Sequence, residues 1–161
     1  MSDYFEYLPG LSRNHSSSLT TRLCYVMASP IDVSSACTIP FVHMAPWVFL
    51  AVCKLETLES RKEGWDSYGG LPLQSDAREL TVHTIKQLGG ENLPVPSVVL
   101  GSDGTVQLEW RKGGRELDLD LTDKDRIEFV KCDPNGEMED GFTDSQSSVQ
   151  LRRLATWLLD K

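Results

Sequence analysis

The chain has 161 residues, of which 40% are hydrophobic and 25% are charged, and its formal net charge is -8. This length allows one domain with a proper hydrophobic core, and the composition is that of a globular protein rather than a disordered or membrane protein. No apolar run reaches the roughly 18 to 20 residues that a membrane span needs, and residues 1–9 lack the pattern of a signal peptide. We therefore expect a cytoplasmic protein without membrane association.

The negative charge is concentrated in one part of the chain. Residues 116–144 hold eleven acids against three bases, a net charge of -8, whereas residues 1–50 hold three acids against two bases. A protein that reads nucleic acid directly needs the opposite sign, because contacts from Lys and Arg to phosphates supply most of its affinity. We therefore expect no direct nucleic-acid binding. A basic protein partner is favoured, since complementary potentials speed encounter and exclude wrong partners.

Residues 1–45 give weak structural signals and are interpreted as an N-terminal extension to a domain over residues 46–161. Two short apolar stretches, Leu19 to Ala28 and Cys37 to Met44, are separated by serines and prolines. Such stretches are typical of strands or of arms laid over a core.

Two helices are predicted at the start of the domain. Apolar residues recur at three- and four-residue spacing from Pro46, which predicts an amphipathic helix that ends near Gly64. Ser75 and Asp76 are good N-terminal capping types and predict the start of a second helix, which should stop at Gly89-Gly90.

The apolar period then changes from helical to alternating. Val98 to Leu100 is predicted to pair with Thr105 to Arg111 through a two-residue turn at Asp103-Gly104. Gly113-Gly114 should form a second hairpin turn into Arg115 to Leu121, in which leucines alternate with acids. This alternation predicts that one face of the sheet is buried and the other is exposed to solvent.

A further strand, Ile127 to Cys132, is followed by a strong turn at Asp133 to Gly136. A last helix is predicted from Asp144 to Leu159. The sequence thus predicts an α+β domain, with an antiparallel meander of about four strands and two or three helices packed on one face.

The segment Gly64 to Gly70, Gly-Trp-Asp-Ser-Tyr-Gly-Gly, holds the most distinctive residues of the chain. In one interpretation it is a structured loop in which Trp65 and Tyr68 fill the core while Asp66 bonds to nearby backbone amides. In the other, Trp65 and Tyr68 are exposed and anchor a partner, because interface hot spots favour such residues. Both interpretations stay open at this point.

This segment belongs to an ordered set of motifs. Trp65-Asp66-Ser67-Tyr68-Gly69 is followed by the helix Leu73 to Leu88, then by Pro94-Val95-Pro96 and by the hairpin residues Asp103 to Trp110. The set resembles a group of small, poorly characterised bacterial and phage proteins marked by W-D-S/G-Y-G and D-G-x-V/I-x-L-E-W. The resemblance covers roughly residues 55–132. It implies a shared fold and a bacterial or phage origin, and it implies no catalytic residues.

The candidate catalytic groups favour a binding protein over an enzyme. Glu116, Asp118 and Asp120 share the wet face of one strand, and a regular row gives them similar environments, whereas acid-base pairs need different ones. The sequence contains no nucleophile elbow, phosphate loop or metalloprotease motif. We therefore expect no enzyme activity and no cofactor.

The four cysteines, at positions 24, 37, 53 and 132, lack a C-x-x-C pair and are interpreted as reduced, buried small hydrophobes. The alternative is a metal site. It would use Cys24, Cys37, His15 and His43, but their spacing matches none of the usual zinc patterns.

The leading hypothesis is a small acidic protein that inhibits or neutralises a partner protein, as antitoxins, immunity proteins and defence inhibitors do. Its expected partner-binding residues are Trp65, Asp66, Tyr68, Glu109, Glu116, Asp118 and Asp120. The first alternative is a nucleic-acid mimic that blocks a nucleic-acid enzyme such as a CRISPR effector. The second is a small enzyme with a pocket near Trp65 and Asp66 that uses Asp66, Glu109 or Cys53. An edge strand of the meander also offers a seam for a homodimer.

Overall fold

The computed structural model describes residues 45–122 and 124–160, so the expected N-terminal extension, apart from Ala45, lies outside the described residues. The described residues form three helices and five strands, which confirms the α+β class. The elements, in chain order, are α1 (Pro46–Glu59), α2 (Ser75–Leu88), β1 (Ser97–Leu100), β2 (Val106–Lys112), β3 (Arg115–Leu121), β4 (Arg126–Cys132), β5 (Met138–Asp144) and α3 (Ser148–Leu159).

The strands form one antiparallel sheet in the order β1-β2-β3-β4-β5. The predicted meander is therefore confirmed, although the described sheet has five strands rather than about four. The added strand, β5, returns from the predicted turn at Asp133 to Gly136, where Gly136 donates its N–H to the Asp133 carbonyl at 3.0 Å. That leaves β5 at one edge of the sheet and β1 at the other.

The alternating pattern of β2 and β3 separates the two faces of the sheet. Leu108 faces Leu119 and Trp110 faces Leu117 across the strand pair, and all four side chains are buried. Because successive side chains of a strand point to opposite faces, the acids between these residues lie on the other face.

The helices pack against the leucine-lined inner face. The Trp47 ring of α1 meets the Trp110 ring edge to face, with centroids 6.1 Å apart and planes at 84°. Such a contact adds about 0.5–1.5 kcal/mol to the burial of the two rings. In α3, Leu151, Ala155 and Leu158 are fully buried along one stripe.

The two tight turns differ in type. Gly113 and Gly114 both have positive φ, 60° and 82°, and join Lys112 directly to Arg115, as the predicted two-residue hairpin requires. The prediction of a two-residue turn at Asp103-Gly104 was wrong. Gly101 donates its N–H to the Thr105 carbonyl at 2.9 Å and closes a loop of three residues.

The longer loop has a local cause. Asp103 Oδ1 accepts hydrogen bonds from the Thr105 N–H and hydroxyl, at 3.2 and 2.6 Å. Gly104 has a φ of 83°, and a Cβ there would lie 2.5 Å from the Pro72 carbonyl oxygen. Only glycine therefore fits where this loop touches the segment before α2.

Helix bounds differ from the predictions mainly at the ends. Helix α1 ends at Glu59 rather than near Gly64, and α3 begins at Ser148 rather than Asp144, because Asp144 is the last residue of β5. The N-cap of α2 is Gln74, without a side-chain cap, rather than Ser75 or Asp76.

Substitution of Leu119 tests the division of the two faces. Leu119 is 1% exposed on the inner face, and Leu119→Ala should lower the free energy of unfolding by about 2–5 kcal/mol, because the helices cannot fully close the cavity. Val99→Ala, at a residue 39% exposed on the opposite face, is the control and should cost under about 1 kcal/mol. Urea denaturation measures both, and equal losses would contradict the assignment.

Candidate protein-interaction surface

The sheet face opposite the helices, here called the open face, carries most of the residues that were predicted to bind a partner. Strand register places one set of alternate residues on it. The set comprises Ser97, Val99, Gln107, Glu109, Arg111, Glu116, Asp118, Asp120, Arg126, Glu128, Val130, Cys132, Met138, Asp140, Phe142 and Asp144. Four of the seven residues predicted to bind a partner, Glu109, Glu116, Asp118 and Asp120, therefore share one surface.

Three of these four acids gather around one base. Arg111 Nη1 lies 3.7 Å from Glu109 Oε2 and 3.5 Å from Asp118 Oδ1, and Arg111 Nε lies 3.4 Å from Glu116 Oε1. Arg111 is exposed, so each contact is worth about 0–1 kcal/mol. One guanidinium cannot neutralise three carboxylates, and the cluster stays negative.

Two of the three β3 carboxylates, those of Asp118 and Asp120, are held in an unfavourable environment. Burial raises the pKa of Asp118, Glu109 and Glu116 raise it further, and Arg111 lowers it. Burial also raises the pKa of Asp120, as do the nearby carboxylates of Asp103 and Glu128. The folded protein thus resists full ionisation of Asp118 and Asp120, and a nearby positive charge would relieve that cost.

An apolar patch borders the carboxylates on the β5 side. Met138 is 73% exposed and Phe142 is 69% exposed, and they pair across the strands with Cys132 and Glu128 respectively. The Arg126 guanidinium lies 5.2 Å from the Phe142 ring centroid. Sequence reasoning missed both apolar residues because it did not predict β5. The strong turn at Asp133 to Gly136 was the signal for a returning strand.

Asp66 serves to build its own loop. Its Oδ1 accepts hydrogen bonds from the backbone N–H of Tyr68 at 2.9 Å and of Gly70 at 2.8 Å. These bonds, first the one from Tyr68, lower the pKa of Asp66. The Trp65 indole donates to the Leu71 carbonyl at 3.0 Å. The predicted bonding of Asp66 to backbone amides is therefore confirmed.

Tyr68 does not fill the core, as one interpretation of the loop expected, because it is 95% exposed at the tip. Ser67 beside it has a φ of 67°, and this left-handed backbone turns the tip outward. Trp65 is half-buried, with the Arg61 guanidinium 5.9 Å from its ring centroid. The anchor interpretation therefore applies to Tyr68 better than to Trp65.

The loop adjoins only one end of the open face. Leu71 donates its N–H to Ser102 at 2.8 Å, and Gln74 donates to Gly104 at 3.0 Å, which holds the loop against the β1–β2 turn. That turn joins β2 at Val106, about 17 Å along the strand from Arg111. The structure therefore does not bring Trp65, Asp66 and Tyr68 together with the Arg111 cluster.

A cleft of about 330 Å³ lies elsewhere. Its lining residues are Asp76, Glu79, Leu80, His83, Lys124 and Gln146. Lys124 Nζ pairs with Asp76 Oδ2 at 2.7 Å inside it, and the buried His83 Nε2 has no hydrogen-bond partner among the described residues. Neither Asp66, Glu109 nor Cys53, the groups named for an enzyme, lines this cleft.

The described residues contain neither a cluster suited to a metal ion nor a helix suited to span a membrane. In residues 45–122 and 124–160, no three His, Cys, Asp or Glu side chains are arranged to hold a metal ion. The alternative site at His15, Cys24, Cys37 and His43 lies outside them. Cys53 and Cys132 carry no disulfide and are half-buried rather than buried. No helix in the described ranges has the length and hydropathy needed to cross a membrane.

Comparison with known proteins identifies no relative of this chain. No protein-family model, curated protein or solved structure matches the chain. The resemblance of residues 55–132 to the bacterial and phage group stays a prediction, and the function has to be inferred from the surface itself.

The raised pKa of Asp120 predicts a pH-dependent gain from Asp120→Asn. Below the pKa of the unfolded carboxyl, about 3.9, Asp120 is protonated in both states and costs nothing. As pH rises through the raised folded pKa, stability is lost, so the variant should be more stable than wild type at pH 7 and equal to it at pH 3.

Asp66→Asn is the control of opposite sign. The lowered folded pKa of Asp66 gives stability that is present above about pH 3.9 and is lost as pH falls through the folded value. This variant should therefore be less stable than wild type at pH 7. Urea midpoints at the two pH values measure both effects, and a less stable Asp120→Asn protein at pH 7 would contradict the environment described.

The loop should tolerate loss of Tyr68 but not a larger residue at position 70. A Cβ at Gly70 would lie 2.8 Å from the Asp66 carboxylate and would break its two backbone bonds, so Gly70→Ala should lower the melting temperature. Tyr68→Ala should change the free energy of unfolding by no more than about 0.5 kcal/mol, as exposed substitutions do, and should leave the melting temperature nearly unchanged. Thermal unfolding followed by tryptophan fluorescence compares them, and equal shifts would refute the proposed role of Asp66.

Proposed function

We propose that the protein is a small acidic protein-binding module that inhibits or neutralises a basic partner protein, as an antitoxin, immunity protein or defence inhibitor does. One observation carries the proposal: crowded carboxylates and exposed apolar side chains share the open face of the sheet. The cytoplasm of a bacterial cell is the proposed location.

The carboxylates would select the partner. Half-buried acids with raised pKa values gain when lysine or arginine approaches, because an opposite charge within about 4–6 Å favours the charged form. Asp118 and Asp120 would then release any remaining protons on binding. Binding should accordingly weaken as pH falls through their raised pKa values.

The apolar patch would supply the desolvated centre of the interface. Aromatic residues and methionine are enriched in interface centres, where a few buried side chains carry most of the binding energy. Phe142 and Met138 are of this kind and lie within the same surface as the acids. Contact of these two apolar side chains with water is unfavourable in the free protein, and burial in an interface would remove it.

The crowded carboxylates also support the alternative of a nucleic-acid mimic. Two features of the open face favour the protein-binding proposal over it. Arg111 places a positive charge inside the acidic cluster, and Met138 and Phe142 interrupt the negative surface with apolar area. Neither a positive charge nor apolar area resembles an array of phosphates.

Capture experiments with matched variants test the proposal. The open-face variant is Asp118→Asn with Asp120→Asn and Phe142→Ser, and the control is Glu63→Gln with Glu79→Gln and Val149→Ser. All six residues are at least partly exposed, and both variants remove two carboxylates and one apolar side chain. Immobilised wild type and control should retain the same basic protein from a bacterial lysate, and the open-face variant should retain about tenfold less or none.

Further arms decide between the two binding proposals. Retention should survive moderate salt and excess duplex DNA, because apolar contacts contribute to it; elution by DNA would instead support the mimic. The purified partner should lose its activity when wild type is added. Equal retention by all three proteins, or no partner at moderate salt, would refute the proposal.

A further inference from the structure

One side of the β5 backbone makes no hydrogen bonds to another strand among the described residues. Ser145 donates its N–H to the Asp125 carbonyl at 3.1 Å and Asp133 donates to Glu137 at 2.9 Å, which extends the β4–β5 ladder at both ends. In an antiparallel pair, alternate residues bond to the neighbouring strand and the others point their N–H and C=O away. Odd-numbered residues of β5 therefore bond to β4, and even-numbered residues face outward.

The outward run extends from Met138 to Phe142. Asp144 is removed from it, because its carbonyl accepts the Ser147 N–H at 3.0 Å. Within residues 45–122 and 124–160, no other strand or loop forms a backbone hydrogen bond to Met138, Asp140 or Phe142. These three residues present a row of donors and acceptors.

The opposite edge of the sheet is protected. Strand β1 has only four residues and follows Pro94 and Pro96, and Lys54 Nζ donates to the Pro96 carbonyl at 2.7 Å. Short length, proline and lysine are devices that prevent an edge strand from pairing with another chain. Strand β5 has seven residues and contains neither proline nor lysine. The two edges are therefore not equivalent.

The charge of this edge defines what can pair with it. Residues 137–144 hold Glu137, Glu139, Asp140 and Asp144 and no base. The Glu139 carboxylate is already paired with Lys131 at 2.8 Å, whereas no such pair with a described residue involves Asp140, which lies on the open face. Two copies of this edge would bring like charges together. An added strand with alternating basic residues would instead place them beside Asp140.

We propose that β5 is a strand-addition site for an extended basic segment of a partner protein. The added strand would pair antiparallel or parallel with the Met138–Phe142 edge and continue the sheet, with its basic side chains on the open face beside Asp140 and its apolar side chains on the opposite face. This inference rests on the proposed function and specifies how the partner docks. Main-chain bonds would supply affinity, and alternate side chains would supply specificity, as in other cases of strand addition.

A peptide probe tests the site without the natural partner. The probe is a blocked heptapeptide of alternating lysine and valine, titrated into the ¹⁵N-labelled full chain at low salt. Amide hydrogen exchange should slow at Met138, Asp140 and Phe142, whose N–H groups become bonded, and should not change in β1. No binding, or shifts without protection of these amides, would overturn the proposal.

Two control peptides separate the main chain from charge. An N-methylated version of the probe, which lacks the donors of one edge, should bind at least about tenfold more weakly, since each bond contributes about 0.5–1.5 kcal/mol. A glutamate-valine peptide should not bind. Equal binding of the methylated peptide would show contacts through side chains alone and would overturn strand addition.

Protein variants complete the test. Asp140→Pro removes an outward N–H at a position where edge strands accept proline, and Asp140→Asn removes only the charge. Asp140→Pro should abolish protection at Met138 and Phe142, and Asp140→Asn should weaken binding and lower its salt dependence. Dispersed amide signals from β4 would confirm that each variant is folded. If Asp140→Pro unfolds, the comparison of the methylated and unmethylated peptides on wild type still tests the main-chain bonds.

The outcomes distinguish this proposal from the proposed function. A captured partner that Asp140→Pro retains but the open-face variant loses would leave the function standing and refute strand addition. If the peptide protects the β5 amides but no partner is captured, strand addition would stand and the proposed function would be refuted. A dimer in sedimentation experiments, with the three β5 amides protected before peptide is added, would identify a second copy as the occupant and overturn the proposal.

Discussion

The fold depends on one constraint, the strict two-residue period of β3. Its leucines, Leu117, Leu119 and Leu121, are all buried against the helices. Burial of apolar surface contributes roughly 25 cal/mol per Å², and the helices cover these leucines together with Leu108 and Trp110 of β2. A shift of register by one residue would exchange these leucines for carboxylates, so the pairing of β2 with β3 is strongly specified. This register determines which side chains of β2 and β3 lie on the open face.

The same alternation that builds the core crowds the carboxylates. Glu116, Asp118 and Asp120 must lie on one face once the leucines occupy the other, and the neighbouring strands add Glu109 and Glu128 beside them. Burial and neighbouring carboxylates raise the pKa of Asp118 and of Asp120 and so oppose folding at neutral pH, and Arg111 offsets only part of this at Asp118. The burial of apolar side chains in the core has to offset this unfavourable carboxylate surface.

The predictable parts of this structure were those with a local, strongly periodic signal. The leucine alternation of β3, the glycine pair of the β2–β3 turn and the apolar stripe of α1 each determine an element without reference to the rest. Strand β5 was missed because six of its seven residues are not buried, Thr143 being the exception, so its sequence shows no hydrophobic alternation. The exposure of Tyr68 depends on the left-handed backbone at Ser67, and serine gives no reason to expect it. Half of the candidate surface was thus predictable from the carboxylate row, whereas its apolar half was not.

Strand β5 is held in place from behind. The Phe129 ring of β4 lies over Gly141, where a Cβ would come within 2.8 Å of the ring, and so covers the inner side of an otherwise bare glycine. Lys131 links Glu139 to the sheet and lies 5.2 Å from the Trp157 ring of α3, while the Thr143 hydroxyl bonds to Gln150 of the same helix. All three contacts use the inner face. They keep β5 attached without engaging its outward backbone or its open-face side chains, so an edge that is nearly all exposed is nevertheless ordered. Because these contacts hold β5 in the sheet without a partner, strand addition there would not carry the entropy cost of ordering a loose segment.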